Sequence, residues 1–214
     1  CGDHVHWCSS DAGTDIVVEQ LPRNSLLSRP NYHQQLKPVA ANIDRIYIVA
    51  APIPHLDEDL INRYLVAATL TDIQSVIVIN KIDLFSSAEL ALKNKLFQIY
   101  RELGYTVLLV SNKTGEGLDL LKANLKDQIG IFVGQSGVGK SSIIQTLLPD
   151  QSLRIGEVSA SSGLGKHTTS VTVLYPAING GAIIDSPGVR EFGLGHVSPE
   201  RIAHGFIEFL PYIN

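Results

Sequence analysis

Methionine does not occur anywhere in the 214 residues, although ordinary usage leads to roughly four. With the opening on Cys1, this leads to the expectation of a fragment cut at both ends, some of whose spacings are shorter than in the intact chain. A processed lipoprotein that begins on cysteine is the weaker reading, and no signal segment is visible to check it. Cysteine occurs only twice, too seldom for a disulfide framework. No apolar run approaches the ~20 residues of a membrane-spanning helix. A basic surplus is missing as well: 17 Lys and Arg against 21 Asp and Glu leave a net charge of −4. That argues against a uniformly basic surface, so any nucleic-acid contact is local or lies outside this fragment. What is present is 44% hydrophobic residues, enough for one good core and a small annex.

The annex comes first. Residues 1–29 alternate in the β manner through Val5 and Trp7, Ile16 to Val18, and Leu26 to Leu27, with turn-forming residues between them. These are too few strands for an independent domain, so they read as the end of a small β-barrel. The stretch from Arg29-Pro30-Asn31 to Lys37-Pro38 reads as a linker. From about Asp44 the pattern changes. Apolar segments at 45–51, 75–80, 106–110, 129–133 and 182–185 alternate with helical ones near 58–70, 87–103, 116–127 and 140–148. Strands that are apolar throughout, separated by amphipathic helices, predict a largely parallel sheet covered on both faces. Residues 199–210 read as a helix capped by Ser198, with Pro199 at its first position. The division that follows is 1–36 barrel strands and linker, 37–197 α/β domain, and 198–214 terminal helix.

Gly134, Gln135, Ser136, Gly137, Val138, Gly139, Lys140 and Ser141 match G-x-x-x-x-G-K-[ST] in full, after a strand and before a helix. Glycines there let backbone N–H groups converge on phosphate oxygens at a helix N-terminus, which Ser142 continues. Lys140 suits the β- and γ-phosphates, and the Ser141 hydroxyl suits Mg²⁺. An ordinary glycine-rich turn is the bland alternative, and a full match in this context outweighs it.

Some fifty residues upstream stands Asn80-Lys81-Ile82-Asp83. Asp83 can accept both the N1–H and the exocyclic amine of guanine, a donor pair that adenine lacks. Lys81 would lie along the base, and Asn80 would tie neighbouring loops together. Ser111-Asn112-Lys113 resembles the S-A-K loop whose backbone N–H meets guanine O6, with Asn112 in place of the usual alanine. Asp185-Ser186-Pro187-Gly188 fits D-x-x-G, with Asp185 on Mg²⁺ through water and the Gly188 N–H sensing the γ-phosphate. Alone, each of these reads as a strand-end turn; together with a phosphate loop they describe a guanine-nucleotide site. Their order is unusual, since in a Ras-like chain the phosphate loop precedes the base-reading motif.

After Gly188 comes Val189, where a Ras-like enzyme has the glutamine that orients the attacking water. The polar substitute is sought in the Gly/Ser-rich stretch 159–170. Thr168 or Thr169 would complete the Mg²⁺ shell, and His167 would position water. A switch-loop histidine is as readily a solvent or partner contact. Cys1, His4, His6 and Cys8 do not read as a zinc site, because four ligands on one short strand cannot readily close a tetrahedron.

The order N-K-I-D, S-N-K, G-Q-S-G-V-G-K-S, G-K-H-T-T, D-S-P-G-V-R-E-F resembles the circularly permuted RsgA/YjeQ family of ribosome small-subunit-dependent GTPases. The resemblance runs from about Gly2 to Leu210. It implies an N-terminal OB barrel, a permuted P-loop GTPase domain, and a C-terminal zinc domain whose ligands this chain does not carry. It also implies GTP or GDP with Mg²⁺ as ligands, and hydrolysis coupled to late maturation of the small ribosomal subunit and stimulated by it. Subunit and rRNA are the implied partners of a cytoplasmic, monomeric protein. A binding module that GTP merely locks, with incidental turnover, is the competing reading that Val189 keeps open. An ATP-using kinase is disfavoured by Asp83.

Overall fold

The computed structural model describes residues 1–10, 13–30, 36–149, 172–177, 180–185, 194 and 197–213. Its centre is a six-stranded sheet. The strands, in chain order, are β5 (Arg45–Ala50), β6 (Gln74–Ile79), β7 (Thr106–Leu109), β8 (Ile129–Val133), β9 (Val173–Pro176) and β10 (Ala182–Asp185). Across the sheet they lie β7-β6-β5-β8-β10-β9. All neighbours run parallel except the edge pair β10–β9.

Helices cover both faces, which is why these strands are apolar throughout. On β5, Ile46, Ile48 and Ala50 join a cluster with Ile61, Tyr64 and Leu65 of α1 (Glu58–Leu70) and Phe97 and Tyr100 of α2 (Ser87–Glu102). The alternate residues Tyr47 and Val49 turn to the opposite cluster. There they meet Leu121 and Leu125 of α3 (Leu118–Leu125) and Ile143, Ile144 and Leu147 of α4 (Lys140–Leu147). Each Ile, Leu, Val or Phe among them is worth about 1.5–3 kcal/mol on full burial. Tyr47 stacks on Phe132, centroids 4.8 Å apart, and its hydroxyl donates to Asn124 Oδ1 at 3.0 Å. Burial pushes that phenol up to about 12, so it serves as a neutral donor. Gly130 makes room for the ring, since a Cβ there would lie 2.5 Å from Tyr47 Cε2.

Local signals set the helix starts. Asp57 caps α1 by accepting from the Leu60 N–H at 2.9 Å, and Ser86 and Glu89 form a reciprocal capping box on α2.

Two antiparallel hairpins precede the sheet: β1 (Val5–Ser9) with β2 (Asp15–Gln20), and β3 (Leu26–Pro30) with β4 (Leu36–Ala41). The second corrects the linker reading of residues 29–38, because Arg29 and Pro30 lie in β3 and residues 36–38 in β4. Pro38 is tolerated there since a two-stranded ladder leaves it an outward edge, and the pairing shifts register between Leu27 and Ser28. Leu27 and Ala40 of this hairpin enter the sheet's core, whereas Trp7, Val17 and Val18 stay largely exposed. The terminal helix is also shorter than expected. α5 spans Pro199–His204, with Ser198 as N-cap, and a 3-10 turn, Ile207–Phe209, follows.

Candidate nucleotide-binding site

The sheet brings the motifs to one edge. Phosphate loop, N-K-x-D, S-N-K and Asp185 all stand at the C-terminal ends of parallel strands, where an open α/β sheet places its ligand contacts. Asn80, almost fully buried, spans the cleft. Its Nδ2 donates to Val138 O at 2.9 Å, and its Oδ1 accepts from the Asn112 N–H at 3.4 Å. Lys81, in a left-handed conformation at φ 59, donates from Nζ to Gly137 O at 2.6 Å and Ile53 O at 3.1 Å. One motif thus grips the phosphate loop twice. Gly139, at φ 97, lies so close that a Cβ would stand 2.3 Å from Asn80 Nδ2. A side chain there would clash and adopt a strained backbone.

Asp83 projects its carboxylate from the turn after β6, with 15% of the side chain exposed. Ser111 donates to Asp83 Oδ1 at 2.6 Å and accepts from the Thr114 N–H at 3.1 Å. Lys113 Nζ lies 4.0 Å from Asp83 Oδ2. Across the cleft, Lys140 Nζ donates to Gly134 O and Gln135 O, each at 2.7 Å, which holds the ammonium over the loop. Ser136, Ser141 and Ser142 are exposed, and Val138 packs into the core. Asp185 is half-buried at the end of β10; burial raises its carboxyl above the usual range while the Lys140 charge pulls the other way. His167, Thr168, Thr169, Gly188 and Val189 lie outside the described residues.

These residues fit a guanine nucleotide and Mg²⁺. A carboxylate faces the cleft at one end, an ammonium and a helix N-terminus stand at the other, and a hydroxyl and a second carboxyl lie beside them. Among the described residues, Asn112 Oδ1 and Gln135 Oε1 are buried without a hydrogen-bond donor, and an N–H or O–H of a bound ligand would suit each. Sequence reasoning missed two elements. Ser111 was assigned only to the loop over O6, although a hydroxyl beside N-K-x-D is suited to hold its aspartate. Pro54 beside Gly137 of the phosphate loop, and the Ile53 carbonyl that accepts from Lys81, also went unread, though prolines closing an apolar strand were the signal.

Comparison with known proteins agrees with this geometry. Residues 20–195 match the RsgA GTPase family model. The Vibrio vulnificus (strain YJ016) small ribosomal subunit biogenesis GTPase RsgA 1 is 50% identical over 217 residues, covering all of this chain and 62% of that relative. RsgA of Pseudomonas putida is 50% identical over 208 residues, 97% of this chain and 61% of the relative. The chain therefore spans about 62% of the length of the curated relatives it matches. Among solved structures, YjeQ from Thermotoga maritima superposes with a TM-score of 0.79 at 32% identity, over 97% of this chain and 67% of that one. YloQ, a circularly permuted GTPase, gives 0.73 at 25% identity, over 98% and 64%. The doubly wound, mainly parallel sheet is a P-loop GTPase fold threaded in permuted order, and the chain belongs to the RsgA GTPase family.

Proposed function

We propose that this protein binds GTP and hydrolyses it to GDP and phosphate in the service of small ribosomal subunit maturation. The observation that carries the reading is Asn80, which joins the base-reading loops to the phosphate loop through the Val138 carbonyl and the Asn112 N–H. Recognition of the base and grip on the phosphates thus depend on one buried side chain.

In this reading Asp83, oriented by Ser111, accepts from guanine N1–H and the exocyclic amine, the Asn112 backbone N–H meets O6, and Lys81 and Lys113 flank the base. Backbone N–H groups of Gly137, Gly139, Lys140 and Ser141 wrap the phosphates. Lys140 places its charge where negative charge builds on the β,γ-bridge as that bond breaks. Ser141, Thr168 and Asp185 would hold Mg²⁺, which neutralises phosphate charge when bound. Thr169 is the alternative threonine, and Gly188 would sense the γ-phosphate. Val189 offers no hydrogen bond to water, so His167 is the group we assign to position it, chiefly when the small subunit and its rRNA are engaged. The relatives are named as small ribosomal subunit biogenesis GTPases, which supports the subunit as partner. A monomeric cytoplasmic state, a preceding OB barrel and a zinc-bearing C-terminal domain complete the proposal.

The test is single-turnover hydrolysis with and without purified small subunits, with ATP as competitor. Lys140→Ala and Ser141→Ala are expected to abolish turnover. His167→Ala is expected to keep GTP affinity and to lose most of the stimulation, on the order of 10²–10⁴-fold. Equal competition by ATP would overturn the guanine assignment, and full stimulation of His167→Ala would remove that residue from the mechanism.

A further inference from the structure

Gln135, second in the phosphate loop, has two ends with different surroundings. Its backbone carbonyl, with that of Gly134, accepts from the Lys140 ammonium, each at 2.7 Å. The course of the chain at Gln135 therefore sets where that charge stands. Its side-chain Oε1 is buried and meets no donor among the described residues, a costly state for an acceptor.

The same side chain lines a cavity of about 10 Å³, whose wall includes His55, Asp57, Leu60, Ile61 and Tyr64. A space of that size has room for about one water molecule, so groups on its wall are a small shift apart. A donor within the protein is thus on hand. Asp57 already caps α1 through Oδ1, and a carboxylate has no hydrogen to give. Tyr64 is fully buried and already engaged. His55 differs from both. Its side chain is exposed, it makes no hydrogen bond or ion pair among the described residues, and a ring nitrogen carries a hydrogen. The segment that bears it is fixed on either side. The Ile53 carbonyl accepts from Lys81 Nζ at 3.1 Å, and Asp57 holds the start of α1.

We propose that His55 is a positioning residue of the phosphate loop: a turn of its ring brings an N–H onto Gln135 Oε1. This ties the loop to the start of α1 and steadies the carbonyls that hold Lys140. His55 touches no substrate in this arrangement and acts through Gln135. Its effect on GDP rests on the nucleotide reading above; the contact itself does not.

Ring ¹⁵N NMR of the nucleotide-free protein reads the contact. Gln135→Leu removes the acceptor and suits the apolar part of the wall, and it is expected to shift the His55 ring nitrogens. Release of a fluorescent GDP reads the consequence. Gln135→Leu and His55→Leu are each expected to speed release about fivefold, the worth of one hydrogen bond. The double variant is expected to release no faster than either single one. His55→Gln, which keeps an N–H to donate, is expected to restore most of the wild-type rate, and Tyr64→Phe to act independently of Gln135→Leu. His55 ring shifts unmoved by Gln135→Leu would overturn the proposal. So would leucine effects that multiply, or coupling of Gln135 to Tyr64 in place of His55. Wild-type protein that holds no GDP would overturn the nucleotide reading instead, and the ring shifts would still decide the contact.

Discussion

At the scale of single residues, the site is prepared before any ligand arrives. Ser111 fixes one oxygen of Asp83 at 2.6 Å, so the carboxylate does not have to be ordered on binding. Removing its charge is the sharpest probe: Asp83→Asn is expected to lower GTP affinity by about 3 kcal/mol, roughly a hundredfold, and to favour xanthosine triphosphate. Competition binding of the two nucleotides measures it, and unchanged preference for GTP would count against the assignment. Asp185 offers a test in pH. Burial raises its folded-state carboxyl above the ordinary aspartate value, so the nucleotide-free protein holds that proton more tightly than the unfolded chain does. The resulting stability is fully present below the unfolded value and is lost as pH rises through the folded one. Asp185→Asn, which mimics the protonated carboxyl, should therefore be at least as stable as wild type at pH 7 without nucleotide and metal. It should also lack the wild type's gain on acidification and lose the extra thermal stability that Mg²⁺ with GDP confers. Melting curves across pH, with and without ligand, decide both.

At the scale of elements, legibility followed burial. β5, β6 and β8 were readable because a strand covered on both faces must be apolar at every position, and Arg45–Ala50 is buried nearly throughout. α1 and α2 carry their starts in Asp57 and in the Ser86–Glu89 box. Ser86→Ala should accordingly cost about 1 kcal/mol and lower the melting temperature by roughly 2–4 °C, with nucleotide affinity unaffected; a thermal scan checks it. What escaped reading lies at edges. β9 is only four residues long and ends on Pro176, so nothing in its pattern exceeds that of a loop. The β3–β4 hairpin holds Pro38, which argues against a strand unless a free edge is foreseen, and the edge follows from tertiary pairing alone. The Asp83–Ser111 contact escaped for the same reason, since it joins residues 28 apart through two strand ends. The phosphate loop and N-K-x-D stood out in sequence because their chemistry requires fixed residue types at fixed spacing.

At the scale of the whole molecule, the sheet order separates contacts that form early along the chain from those that form late. β5 pairs with β6, and β6 with β7, each the next strand in sequence. β8 instead returns to the far side of β5, where the Asp44 carboxylate accepts the Ile129 N–H across 85 residues at 2.7 Å. Closing that gap carries a larger loop entropy than either neighbouring pair. In refolding, amides of β5, β6 and β7 are therefore expected to gain protection before those of β8 and β10, as measured by pulsed hydrogen exchange. Simultaneous protection of all five would contradict this. The same arrangement has a meaning in time. A ribosome making this chain releases the guanine-reading strands first, and they can pair while the phosphate loop is still being synthesised. On the proposed function, GTP therefore cannot template the fold from its start, as it could in a chain that begins with the phosphate loop; it can only close a half already built.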